Sequence, residues 1–321
     1  MIFEKQIKNV YMQTAFSRCD DNHTAYYFSS DDFTSLNRQK FDFESSLGHT
    51  LKGNFYYYDN YKENILVVFD HGFGGGHKSY MKEIEKLCKA GYLVFAYDHT
   101  GCMESGGQNA NGMAQSLHDL DDAYRALKAL DELKGFSFYS IGHSWGGFST
   151  LNISALHKEI KKVVVLSGFA KVEHMINANF SGLLKGYRKA IMELEESANP
   201  EYINFDGVKS LKESNVDALL IYSSNDHLCK KEVHYDYLYE NLKDEKNVKF
   251  VLVDNKRHNP NYTTNAVKLL TEYLTKLEKL TKKKKLVTEE QKQEFVNSFN
   301  WDEMTKQDDT IWEMILNHFE N

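Results

Sequence analysis

Between residues 52 and 280, short runs of apolar, β-prone side chains alternate with longer stretches whose apolar positions return every three to four residues. The runs fall at 55–58, 65–69, 92–97, 136–141, 163–166, 218–222 and 248–253, and the helical stretches at 79–90, 113–133, 145–157, 230–242 and 262–280. A strand exposed on one face alternates apolar with polar; these are apolar almost throughout, so both faces are expected to be covered. The pattern predicts an α/β fold: a mostly parallel central sheet with helices on both faces.

One connection is longer than a simple crossover needs. Residues 169–215 carry Ile176, Phe180, Leu183, Leu184, Tyr187, Ile191 and Leu194 at helical spacing, so a helix or helix pair is expected there. An insertion at this point overhangs the C-terminal strand edges, where α/β proteins bind ligands, and this predicts a helical cap. The plainer alternative is a helix pair packed on the core. Two extensions flank the body of residues 46–280. Residues 1–45 scatter Phe28, Phe33, Phe41 and Phe43 among polar side chains, as leading strands or a flap would. Residues 281–321 open on a solvated lysine run and continue as a helical tail, whose Trp301, Met304, Ile311, Trp312, Ile315, Leu316 and Phe319 are expected to dock on the body.

Composition narrows the classes. Of 321 residues, 41% are hydrophobic and 26% charged, which is ordinary for a folded globular chain. A net charge of −7 leaves no electrostatic footprint for nucleic acid. No run approaches the ~20 apolar residues of a membrane span, and the first six residues lack the apolar core of a secretory signal. Cys19, Cys88, Cys102 and Cys229 show neither Cys-x-x-Cys spacing nor a paired framework, which suits free thiols in a reducing compartment. A cytoplasmic chain without a stable membrane anchor is expected.

The candidate chemistry centres on Gly142-His143-Ser144-Trp145-Gly146, where the run ending at Ile141 should turn into the helix starting at Trp145. A serine hydroxyl attacks a carbonyl only if it is exposed, close to a base and beside donors for the developing oxyanion. A strand-to-helix elbow gives the exposure, and the helix start gives the donors. By composition alone, three fixed positions recur in roughly one chain in ten of this length. The motif therefore counts only in company.

That company is present in the order the elbow needs. Asp70-His71-Gly72-Phe73-Gly74-Gly75-Gly76 follows the run at 65–69; it lacks both a Gly-Lys-Ser/Thr ending and a Gly-x-Gly-x-x-Gly fingerprint, so it reads as an oxyanion loop rather than a phosphate cradle. Its expected donors are the backbone N–H groups of Phe73 and Trp145. After the run at 218–222 stands Asp226, the candidate acid, and after the run at 248–253 stands His258, the candidate base. Asp254 is the rival acid, but it shares the loop of the base. Among thirteen histidines only His258 combines the right strand with the right order; His71 and His143 are expected to shape the oxyanion loop and the elbow, and His227 to flank the acid. No metal-ligand cluster of recognisable spacing appears, and this chemistry needs neither metal nor cofactor.

As a set, these residues resemble the α/β-hydrolase superfamily: His71-Gly72-Phe73-Gly74-Gly75, the Ser144 pentapeptide, Asp226 and His258. Asp98-His99-Thr100-Gly101-Cys102-Met103-Glu104-Ser105 is similar to an Asp-x-x-Gly-x-x-x-Ser loop common in these proteins, with Cys102 where glycine often stands. The resemblance covers roughly residues 45–280 and is closest to bacterial carboxylesterases, lysophospholipases and serine-aminopeptidase-like hydrolases. It implies the α/β-hydrolase fold and a serine hydrolase that acts on a small-molecule acyl ester. Serine at the elbow argues against the dehalogenases and epoxide hydrolases of this fold, which use a carboxylate there.

Two other functions compete. An aminopeptidase would need acidic groups for the substrate's amine, and Glu173, Glu193, Glu195 and Glu196 of the expected cap offer them; their plainer reading is a solvated helix face. A non-catalytic binding module on a hydrolase fold is the third reading, since fold alone does not confer activity.

Overall fold

A computed structural model describes residues 3–62 and 64–321, so the first two residues of the N-terminal extension lie outside it. Its strands are β1 (Asn37–Lys40), β2 (Phe43–Glu44), β3 (Thr50–Leu51), β4 (Gly53–Tyr57), β5 (Ile65–Asp70), β6 (Leu93–Tyr97), β7 (Ser137–His143), β8 (Ile160–Leu166), β9 (Asp217–Ser223) and β10 (Val248–Val253). Eight of them form one sheet in the order β1-β4-β6-β5-β7-β8-β9-β10, while β2 and β3 pair separately. From β6 to β10 every neighbouring pair is parallel, and β4 and β1 add antiparallel strands at one side. The chain leaves β5 toward β6 on one side and returns to β7 on the other. Such a reversal opens a crevice at the C-terminal strand ends, which is where the loops after β5 and β7 stand.

Strand periodicity divides the core in two. Leu66 and Val68 of β5 join one buried cluster, and Val67 and Phe69 join the other. The helices are α1 (Glu4–Ala15), α2 (Met81–Lys89), α3 (Gln115–Lys128), α4 (Trp145–Leu156), α5 (Val172–Asn179), α6 (Arg188–Ala198), α7 (Gly207–Ser214), α8 (Tyr235–Leu242), α9 (Thr264–Lys282), α10 (Glu289–Asn297), α11 (Trp301–Met304) and α12 (Asp309–Glu320). The first cluster takes Leu117, Leu120 and Tyr124 from α3, Phe148 and Leu151 from α4, and Leu211 from α7. The second takes Ile84 and Leu87 from α2 and Trp312, Ile315 and Phe319 from α12. Ten of the twelve residues of α4 are buried, so the helix that follows Ser144 is walled in on nearly all sides. Among the described residues no helix is long and apolar enough to cross a membrane.

The differences from expectation have local causes. β1 reads Asn-Arg-Gln-Lys, without an apolar position; it is an edge strand, where charge protects against further pairing. Instead of a helix or helix pair, the long connection contains α5, a 3₁₀ turn (Gly182–Tyr187), α6 and α7. The helix expected from residue 230 starts at Tyr235, and the one expected over 113–133 spans only Gln115–Lys128.

Candidate active site

The backbone at Ser144 is forced. Its φ of 56° and ψ of −110° place a non-glycine residue in a sparsely populated region, and such strain persists only where the surroundings over-determine it. They do so here. A Cβ on Gly142 would stand 2.1 Å from the Gly146 carbonyl oxygen, and one on Gly146 would stand 2.2 Å from that of Asp70. The strand and helix of the elbow touch main chain to main chain, and only glycine allows it. Ser144 N–H donates to the Leu166 carbonyl on β8 at 2.9 Å, which ties the elbow into the sheet.

Asp226 follows β9 and is 5% exposed. Its Oδ1 accepts from the N–H groups of Leu228 (2.8 Å) and Cys229 (3.0 Å), and its Oδ2 lies 2.7 Å from His258 Nδ1. Burial works against its charge, but the hydrogen bond and charge of His258, with the two amides, outweigh it and hold the carboxyl below its ordinary range. The Asp226 contact leaves the other nitrogen of His258, Nε2, as the one available to a substrate or nucleophile. The rival Asp254 is exposed and accepts from the Ser224 hydroxyl at 2.5 Å.

Ser144, Asp226 and His258 therefore all follow the C-terminal ends of strands, β7, β9 and β10, as Phe73 follows β5. The rings of Phe73 and Trp145 meet edge to face at 5.1 Å, and no backbone carbonyl accepts from the N–H of either residue among the described residues. Cys229 completes a cluster with Asp226 and His258 whose donor atoms lie within 4.8 Å of one another, a spacing a cation could use. Its thiol is buried and pushed well above its ordinary range by desolvation and by Asp226, so beside this carboxylate it is held as the neutral thiol.

Histidines lock the loops together. His143 Nδ1 lies 2.8 Å from the Tyr80 hydroxyl, and its Nε2 lies 2.7 Å from the carbonyl oxygen of His258. A carbonyl only accepts, so Nε2 carries the proton and Nδ1 accepts from Tyr80, whose oxygen in turn takes the Gly72 N–H at 3.1 Å. Burial first, and then the neighbouring His258, lowers His143 to about 3, so it bridges as a neutral ring. One chain of bonds thus links the loops that follow β5, β7 and β10.

His99 is the charged counterpart. Asp70 Oδ1 stands 2.8 Å from its Nε2 and Asp119 Oδ2 3.1 Å from its Nδ1, all with no exposed surface. Desolvation opposes the cation, but the two carboxylates prevail and raise His99 to about 10. Asp70 also accepts from Tyr97 and from Ser149 of α4, so this buried ionic cluster joins β5 and β6 to α4. Sequence reasoning missed Tyr80 and His99 as parts of the site. Asp98-His99 stood within a noted loop, but nothing local marks His99 as charged until Asp70 and Asp119 are beside it.

Of the four acids considered for an amine site, Glu173, Glu193 and Glu196 are exposed. Glu195 is fully buried and engaged: Tyr11 donates to its Oε1 at 2.6 Å and the Met113 N–H to its Oε2 at 2.7 Å. It belongs to the packing between α1 and α6, not to a solvated helix face. Burial raises it to about 7 despite these bonds. Met113 connects onward, its carbonyl accepting from Trp145 Nε1 at 2.7 Å.

Comparison with known proteins agrees with this architecture. Residues 65–198 match the family described as the alpha/beta hydrolase fold. A protein of Mycobacterium phage D29, named as a candidate non-heme haloperoxidase, is 31% identical over 113 residues, or 35% of this chain; the match spans only 38% of that relative. An esterase of Pyrococcus furiosus has a similar structure, with a TM-score of 0.59 at 21% identity over 81% of this chain and 96% of its own. An acylaminoacyl peptidase of Pyrococcus horikoshii has a TM-score of 0.55 at 17% identity, covering 71% of this chain and 39% of that one. The family match over residues 65–198 and the structural relatives agree on the α/β-hydrolase fold described above.

Proposed function

We propose that this protein is a serine hydrolase that cleaves small-molecule carboxylic esters by acyl transfer. The observation that carries the reading is the strained Ser144 elbow beside the Asp226–His258 pair at 2.7 Å. Ser144 Oγ attacks the ester carbonyl while His258 Nε2 takes its proton. Asp226 orients the imidazole and stabilises the imidazolium. The N–H groups of Phe73 and Trp145 receive the oxyanion, with α4 adding its N-terminal dipole. His258 then protonates the leaving alkoxide and activates the water that hydrolyses the acyl-enzyme, which needs no cofactor.

Ester rather than peptide hydrolysis is favoured because the one buried acid among those considered, Glu195, is already held by Tyr11 and Met113 and offers no site for an amine. A fluorophosphonate probe should label the wild type and not Ser144→Ala, which should also lose p-nitrophenyl ester hydrolysis by at least about 10³-fold. Equal labelling of both proteins would end the serine-hydrolase reading. Faster turnover of amino-acyl anilides than of matched esters would move the protein to the peptidases.

A further inference from the structure

The loop that carries His258 is unusual in its backbone and in what surrounds it. It leaves β10 through Asn255 at φ 60° and Arg257 at φ 48°, two consecutive odd positions in the left-handed region without a glycine between them. Its start is held by Asn225, whose side-chain oxygen accepts from the Arg257 N–H at 3.0 Å, and by Ser223, whose hydroxyl accepts from the Lys256 N–H at 3.3 Å. On the elbow side, His143 donates to the His258 carbonyl.

The far side is held by the C-terminal extension. Residues 305–308, between α11 and α12, lie antiparallel to the segment just beyond His258, with Tyr262 opposite Gln307. Thr263 N–H donates to the Lys306 carbonyl at 2.9 Å, and Asp308 N–H to the Asn261 carbonyl at 2.7 Å. The side chains repeat this pairing. Lys256, two residues before His258 and 7% exposed, donates to the Tyr262 carbonyl at 2.6 Å and to Asp308 Oδ2 at 2.5 Å. Asn261 donates to Gln307 Oε1 at 2.8 Å and to Glu83 Oε1 at 3.0 Å, and Trp312 of α12 donates to the same Gln307 oxygen at 2.8 Å. A lysine buried beside an apolar core is tolerated only with such partners, and each partner here constrains one loop.

We propose that residues 306–308 are a positioning element for the candidate base: through Asp308 and Gln307 they fix the backbone that presents His258 to Asp226 and Ser144. This rests on the reading of His258 as base. Lys256 and Asp308 touch no reacting atom and act through the loop. The surface of the protein could be held together by the hydrophobic packing of α12 alone, through Trp312, Ile315 and Phe319. The polar clamp adds register rather than adhesion, because it joins the tail to residues immediately before and after His258.

The test uses the full-length protein and p-nitrophenyl acetate. Lys256→Met should lower kcat about tenfold with KM within about twofold, since a sub-ångström displacement of a base is felt in the chemical step. Lys256→Arg keeps the cation opposite Asp308 and should recover most of the loss. The downfield proton resonance of His258 Nδ1–H against Asp226 should broaden in Lys256→Met and return in Lys256→Arg, a signature that a merely stabilising contact would not move. If Lys256→Met does not fold, Asp308→Asn, which keeps a side-chain oxygen to cap α12, carries the same expectation. Unchanged kcat and an unchanged resonance in the folded variant would overturn the clamp. His258→Ala separates the two readings: if it retains hydrolysis, the assignment of the base fails; if it is inactive while the clamp variants match the wild type, only the clamp fails.

Discussion

Beneath Ser144 the chain is held by backbone that admits no side chain and by buried charge. Gly142 and Gly146 touch main chain directly, and Asp70, His99 and Asp119 form an ionic cluster without exposed surface. In the long connection after β8, Glu195 of α6 accepts from Tyr11 of α1, and the Tyr11 ring meets Phe180 edge to face at 5.8 Å. Leu183, in the same connection, is fully exposed. The elbow region should therefore punish any change of volume or charge, while the long connection should respond to protonation and ignore many substitutions. A turn that touches main chain to main chain needs fixed geometry; a peripheral helical connection needs only to stay attached.

The largest effect should come from the acid. Asp226→Asn should lower kcat by about 10³–10⁴-fold while the fold persists, because the imidazole loses both orientation and charge support; steady-state hydrolysis of p-nitrophenyl esters measures it. Next is Gly146→Ala, whose methyl would enter the Asp70 carbonyl. It should destabilise the protein by about 4 kcal/mol or prevent folding, read from urea unfolding. A tolerated alanine there would break the contrast between the two regions.

The long connection is probed by pH. Glu195 is raised to about 7 from an ordinary 4.5, so between these values the folded state keeps a proton that the unfolded chain has released. Stability from this group is therefore lost as pH rises through that window, by up to roughly 3 kcal/mol. Glu195→Gln should remove the loss, so the Tm difference between variant and wild type should grow in the variant's favour from pH 5 to pH 8. A constant difference would show that Glu195 ionises freely in the folded protein. Smallest of all, Leu183→Ser should change stability by no more than about 0.5 kcal/mol; a large loss would mean that this connection is packed as tightly as the elbow.

How much was legible in sequence follows the same division. The strands at 65–69, 92–97 and 248–253, the elbow and the loop residues after β9 and β10 are local patterns, each readable within ten residues. β1 was invisible because a polar edge strand has no periodic apolar signal. The bonds of Glu195 to Tyr11 and of Lys256 to Asp308 join positions 184 and 52 residues apart, and nothing beside either residue announces its partner. Tyr80 and His99 were missed for the same reason. What sequence conveys well is where a loop begins; what holds the loop still comes from elsewhere in the chain.

The torsion angles of Ser144 carry one more consequence. A serine with φ 56° and ψ −110° is kept in that posture by the elements on either side, and glycine would adopt it with less strain. Ser144→Gly should therefore unfold at a higher temperature than the wild type while hydrolysing nothing. The gain in Tm would measure how much robustness is given up to keep a serine, rather than a glycine, at the turn.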